Sequence, residues 1–138
     1  MNEAATPTIL VALTGASGMP YGLRLVDALL GAGCRVWLVY SQVAQIVARQ
    51  EMDLLLPGNP AQAARELGER FNAQPGRLEV FGREDWNCPP ASGSNPPDAM
   101  VVCPCSMGSL AAIAHGLASN LIERAADVVM KERRPLIL

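Results

Sequence analysis

The sequence has a single histidine (His115), a single lysine (Lys131), few aromatic residues and no long apolar run. Each scarcity removes a class of function. A bilayer-spanning helix needs roughly 20 mainly apolar residues, and no run of that length exists. Met1–Pro7 (MNEAATP) has neither the positive start nor the apolar stretch of a secretion signal, so a cytoplasmic location without membrane association is expected. With 11 Lys plus Arg against 13 Asp plus Glu the formal charge is -2, and the arginines are scattered along the chain. No basic field results, and no nucleic-acid partner is expected. Metal ligands are lacking too: His115 lies in an Ala-rich helical stretch, and Cys103 and Cys105 form a C-x-C without the second ligand pair of a zinc site. Cys34, Cys88, Cys103 and Cys105 therefore read as reduced core thiols, the expectation for a chain with no route to an oxidising compartment.

Half of the 138 residues are hydrophobic and 17% are charged, the composition of one globular domain. A chain of this size buries roughly two thirds of the surface its unfolded form exposes, enough to fold without metal or disulfide. Thr8–Thr14 (TILVALT) is a continuous apolar run of strand length that ends at a glycine cluster, the pattern of a strand covered on both faces. Tyr21, Leu25, Ala28 and Leu29 recur at helical spacing, and Gly31 and Gly33 supply the stop. Arg35–Tyr40 reads as a second strand, and Ser41 opens a helix carrying Val43, Ile46 and Val47 toward Glu51. Strands alternating with helices predict a three-layer α/β domain around an open parallel sheet, flavodoxin-like or Rossmann-like.

Seven of the eleven prolines lie between Pro57 and Pro97 and break every periodic pattern there except a helix over Ala61–Phe71. Leu78–Phe81 fits a short strand, Gly82–Pro97 a long loop of the kind kept for binding, and Ala99–Pro104 another buried strand. Helices are expected over Ser106–His115 and Asn120–Lys131, the second with Asn120 and Glu123 as a capping box. Pro135–Leu138 (PLIL) resembles the start of a further core strand with no helix after it, so the chain is read as one domain, residues 1–138, truncated at its C-terminus.

Chemistry concentrates at strand ends. In Thr14–Gly22 (TGASGMPYG), glycines at 15, 18 and 22 join a strand to a helix, where free N–H groups and the helix dipole favour an anion. The spacing is neither G-x-G-x-x-G nor a Walker P-loop, and a tight turn without ligand is the alternative. Cys103–Ser109 (CPCSMGS) is a second strand end with hydroxyls, and Ser41 joins the same rim, although each of these serines could equally cap its helix. Pro89–Ser94 (PPASGS) offers hydroxyls and close backbone to another anion, or is ordinary loop composition. Lys131 could bind a phosphate, or could complement a helix C-terminus on a solvated ridge with Glu123 and Asp127. Glu51 is a candidate proton-transfer carboxylate.

Taken together, TGASGMPYGLRL, ASGS, CPCSMGSL and LIERAADVVMKERRPLIL resemble the UbiX-type flavin prenyltransferases, over Ile9–Leu138 in the same order and spacing. These belong to a flavoprotein family that also includes phosphopantothenoylcysteine decarboxylase-like enzymes. The resemblance implies a homo-oligomer, dodecameric in the family, that joins reduced FMN to the dimethylallyl group of dimethylallyl phosphate. The prenylated FMN then serves a UbiD-type decarboxylase in ubiquinone synthesis or aromatic acid decarboxylation. By the same resemblance FMN is bound by Gly15, Ala16 and Ser17, by Ser41, and by Ser106, Met107, Gly108 and Ser109. Gly93 and Lys131 would hold the prenyl phosphate, and Ser17 and Glu51 would serve proton transfer, with no metal. Family members continue past the PLIL strand into an Arg-Glu segment, a Tyr and a further basic residue that this sequence lacks. Two other functions are compatible: an FMN-dependent cysteine decarboxylase, against which PPASGS and the position of His115 argue, and an FMN-binding subunit without turnover.

Overall fold

Parallel strands need a crossover to return the chain, and this sequence supplies helices for it. The computed structural model describes residues 5–138. In chain order the elements are β1 (Thr8–Leu13), α1 (Met19–Gly31), β2 (Arg35–Tyr40), α2 (Gln42–Met52), α3 (Pro60–Arg70) and β3 (Leu78–Val80). A single 3-10 turn at Pro89–Ala91 follows, then β4 (Ala99–Val102), α4 (Met107–Ala114), α5 (Leu121–Lys131) and β5 (Leu136–Ile137). The sheet order is β3-β2-β1-β4-β5, and all four pairings are parallel.

Alternation along the strands makes this a three-layer structure. Val11, Leu13, Val36 and Leu38 face one side, where Met19, Leu23 and Val26 of α1, Ala44 and Ala48 of α2 and Ala63 and Leu67 of α3 cover them. Leu10, Ala12, Trp37, Val39, Met100 and Val102 face the other, beneath Leu121, Ile122, Ala125, Ala126 and Val129 of α5 and Ile113 of α4. From β1 the chain winds outward to β3, returns through the long loop, and resumes at β4 on the opposite side of β1. The winding therefore reverses between β1 and β4, the place where an open α/β sheet leaves a crevice beyond its strand ends.

Several local expectations change. Helix α1 starts at Met19, with Pro20 in its first turn, and buries Met19, Gly22, Leu23 and Val26, whereas Tyr21 is 76% exposed. Of the anticipated stripe, Leu25 and Leu29 are half-buried against this core and Tyr21 and Ala28 are exposed; the fully buried face is rotated toward Gly22, which fits against the β4–α4 connection. Helix α2 packs through Ala44 and Ala48, with Val47 half-buried against the same core, while Val43 and Ile46 are exposed; its inward face is the one turned toward α1. Of the cysteines only Cys88 is fully buried; all four are free thiols. Burial pushes the Cys88 thiol up, and burial together with the neighbouring Cys103 pushes up that of Cys105. Among the described residues no helix is long and apolar enough to cross a membrane.

Candidate functional site

Because β1, β2 and β4 run parallel and each is followed directly by a helix, the N-termini of α1, α2 and α4 gather at the C-terminal edge of the sheet. Two of these ends are capped by their own serine. Ser41 Oγ accepts the Ala44 N–H at 3.0 Å, and Ser106 Oγ accepts the Ser109 N–H at 3.1 Å while donating to Ser109 Oγ at 3.0 Å. The capping alternative is thus realised for both. The first end is capped from outside: Gly18, at φ 107° in the left-handed region that glycine adopts without strain, has no side chain for the task. Glu51 performs it, its carboxylate accepting the Gly18 N–H at 3.0 and 3.1 Å and the Met19 N–H at 3.1 Å.

The anion position anticipated at the start of α1 is accordingly filled by a side chain of α2. Donors remain elsewhere. Among the described residues no protein group accepts the N–H of Gly15, Ala16 or Ser17, or of Met107 or Gly108 in the first turn of α4. These donors lie on the loops after β1 and β4, on either side of the winding reversal, and Ser17 adds an exposed hydroxyl. They suit an anion carried on a flexible polar chain, and the terminal phosphate and ribityl of FMN fit that description.

Gly15 is constrained by the protein itself. A Cβ there would fall on Val43 Cγ1 and lie 2.6 Å from Val43 Cβ, so the close approach of the first loop to α2, not room for a ligand, already requires glycine. Gly22 is constrained likewise by the Cys103 carbonyl.

The structure brings Ser17 next to Glu51, through Gly18, and brings Gly93 next to Lys131. A Cβ on Gly93 would sit 2.8 Å from Lys131 Nζ and 2.5 Å from Glu132 Oε1. Lys131 pairs with Glu132 at 3.3 Å rather than with Asp127, which faces Arg124 at 3.9 Å; the ridge of Glu123, Asp127 and Lys131 is not a connected pair series. Glu123 instead accepts the Ser119 N–H at 2.7 Å, one residue before its anticipated partner, while Asn120 caps α5 through the Glu123 N–H at 2.9 Å. Among the described residues no hydrogen bond or ion pair links the Gly93–Lys131 group to the loops after β1 and β4. A cavity of about 360 Å³ lies one strand further along the same edge, lined by Tyr40, Gln45, Phe81 and Arg83 among others.

Two participants were not singled out from the sequence. Glu132 is one, legible only as the residue after Lys131. The other is Thr14, 1% exposed, whose Oγ1 donates to the Pro104 carbonyl at 2.7 Å and accepts the Ser106 N–H at 2.8 Å.

A family model described as Flavoprotein matches residues 2–138. The chain belongs to the Flavoprotein family. Within that family it is 52% identical over 130 residues to a protein named flavin prenyltransferase UbiX from Pseudomonas aeruginosa, covering 94% of this chain and 62% of the relative. The chain thus spans about three fifths of that relative's length. Among solved structures, AnUbiX (PadA1) in complex with FMN and dimethylallyl pyrophosphate superposes with a TM-score of 0.81 at 37% identity, over 96% of this chain and 63% of that one. A dodecameric FMN-dependent Ubix-like decarboxylase from Escherichia coli O157:H7 gives a TM-score of 0.77 at 35% identity, over 94% of this chain and 63% of that one. The flavoprotein fold is therefore shared with proteins whose names and complexes concern FMN.

Proposed function

We propose that residues 1–138 form one flavoprotein-like domain that binds FMN on the loops after β1 and β4, and that its reaction is flavin prenyl transfer. The observation that carries the binding site is the set of unsatisfied N–H groups of Gly15, Ala16, Ser17, Met107 and Gly108 at the winding reversal. Similarity to the Pseudomonas relative and to AnUbiX supports prenyl transfer.

In this reading reduced FMN supplies the nucleophile, and dimethylallyl phosphate supplies the carbon it attacks. Ser41 and Ser106 shape the rim by capping α2 and α4, and Met107, Gly108 and Ser109 form the first turn of α4 beside it. Lys131, at the end of α5 beside Gly93, attracts the phosphate of the allyl donor and stabilises it as it leaves. That phosphate must compete with Glu132 for the ammonium. Glu51 and Ser17 stand together at the first loop, where a carboxylate can take up the proton released at a flavin carbon. Relatives of this kind include a dodecamer, and we read the chain as a homo-oligomer whose prenylated product passes to a UbiD-type decarboxylase.

The test is direct. The purified chain is titrated with FMN, then incubated with reduced FMN and dimethylallyl phosphate without oxygen, and the flavin is weighed by mass spectrometry. A gain of one dimethylallyl unit supports the reading; tight FMN binding with unchanged flavin mass leaves a flavin-binding subunit in its place.

A further inference from the structure

The loops after β1 and β4 are joined by one side chain. Thr14 is the first residue beyond β1, and its hydroxyl lies between the Pro104 carbonyl, to which it donates at 2.7 Å, and the Ser106 N–H, which it accepts at 2.8 Å. Its own backbone N–H donates to the same Pro104 carbonyl at 3.2 Å. With 1% exposure the hydroxyl has no water to replace a lost partner, so both bonds are retained or a buried polar group is left unsatisfied.

This contact lies upstream of the rim. The Ser106 N–H held by Thr14 belongs to the residue whose Oγ caps α4 and whose hydroxyl meets Ser109. The free N–H groups of Met107 and Gly108 point wherever that cap points, and Thr14 is directly followed by the free N–H groups of Gly15, Ala16 and Ser17. Beyond the backbone bonds that pair the two strand ends, this hydroxyl is the side-chain link that ties the Ser106 N–H, and with it the α4 donors, to the first loop. A ligand that spans both loops meets donors already in place, without ordering them at its own cost.

We propose that Thr14 is a positioning residue for flavin binding, acting through the Ser106 N–H to lock the β4–α4 turn against the first glycine loop. The inference rests on the placement of FMN argued above. Thr14 touches no ligand in this account; it sets where the ligand's partners stand.

The experiment compares the full chain with Thr14→Val, which keeps the shape of the side chain and removes the hydroxyl, and with Thr14→Ser, which keeps the hydroxyl. FMN affinity is followed by quenching of flavin fluorescence, and exchange of the Ser106 amide by NMR without ligand. Thr14→Val should weaken FMN by roughly fivefold or more and speed Ser106 exchange by at least about tenfold, whereas Thr14→Ser should stay within about twofold of the parent in both. A lower melting temperature in Thr14→Val with unchanged FMN affinity would overturn the inference and leave a structural threonine.

Should Thr14→Val fail to fold, the same bond is cut from its other side. A semisynthetic chain with an ester in place of the Cys105–Ser106 amide removes the N–H that Thr14 accepts and keeps every side chain. It should bind FMN roughly fivefold less tightly than the parent; equal affinity overturns the proposal. A parent chain that binds no FMN overturns the flavin placement instead, and Ser106 exchange in Thr14→Val then decides separately whether the lock exists.

Discussion

The carboxylate of Glu51 closes on the backbone N–H of Gly18, 33 residues earlier in the chain, with oxygens at 3.0 and 3.1 Å. Glu51 stands in the last turn of α2, where a negative charge opposes its own helix dipole; the positive end of α1 offsets that cost and binds the two helices together.

Removing this cap should destabilise the fold. Glu51→Ala is expected to cost about 1 kcal/mol in urea unfolding, and Glu51→Gln less, because an amide oxygen still accepts one N–H. If Glu51 also takes up a proton, Glu51→Gln should retain most FMN affinity and stability while product formation falls by roughly a hundredfold or more. Parallel loss of stability and turnover would leave it a cap alone.

Substitutions at Gly15 and Gly22 should separate side-chain from backbone crowding. Gly15→Ala meets Val43, so it should destabilise by about 1–3 kcal/mol and be partly relieved by Val43→Ala in a double-mutant cycle. Gly22→Ala meets the Cys103 carbonyl, and no side-chain replacement should restore it. Full independence of the Gly15 and Val43 effects would contradict the packing described here.

The Tyr40 phenol donates to the Pro57 carbonyl, and burial, assisted by Glu66, pushes its pKa from 10.0 up to about 12. A folded-state value above the unfolded one means that the folded chain keeps its proton longer, so this contribution is whole below pH 10.0 and disappears as pH rises toward about 12. Tyr40→Phe should flatten that alkaline decline and lower stability at neutral pH by about 1 kcal/mol through the lost hydrogen bond. Urea midpoints measured across the alkaline range check both.

Lys131→Ala should raise the KM for dimethylallyl phosphate by about tenfold or more, the loss of one charge-assisted contact, with FMN affinity within about twofold of the parent. Glu132→Gln should act in the opposite direction, lowering that KM, because the ammonium loses the carboxylate it pairs with at 3.3 Å. An unchanged KM in both variants would remove Lys131 from the phosphate site.

Sequence by itself determined the layer architecture. Continuous apolar runs at β1, β2 and β4 require cover on both faces, and helical spacing between them supplies it, so the α/β class follows from local pattern and burial. The strand-end positions of Ser17, Ser41 and Ser106 were legible for the same reason, since a strand end followed by a helix start is a local signal. Tertiary structure alone decided which partners occupy the donors at those ends. Glu51 reaches the α1 N-terminus only because α2 packs against α1, and Thr14 meets Ser106 only because β4 pairs beside β1. Val43 and Ile46 are exposed while Ala44 and Ala48 are buried, with Val47 packed beside them, because the face α2 turns inward is set by its packing on α1. Such choices depend on separations between residues far apart in the chain, and periodicity carries no information about them.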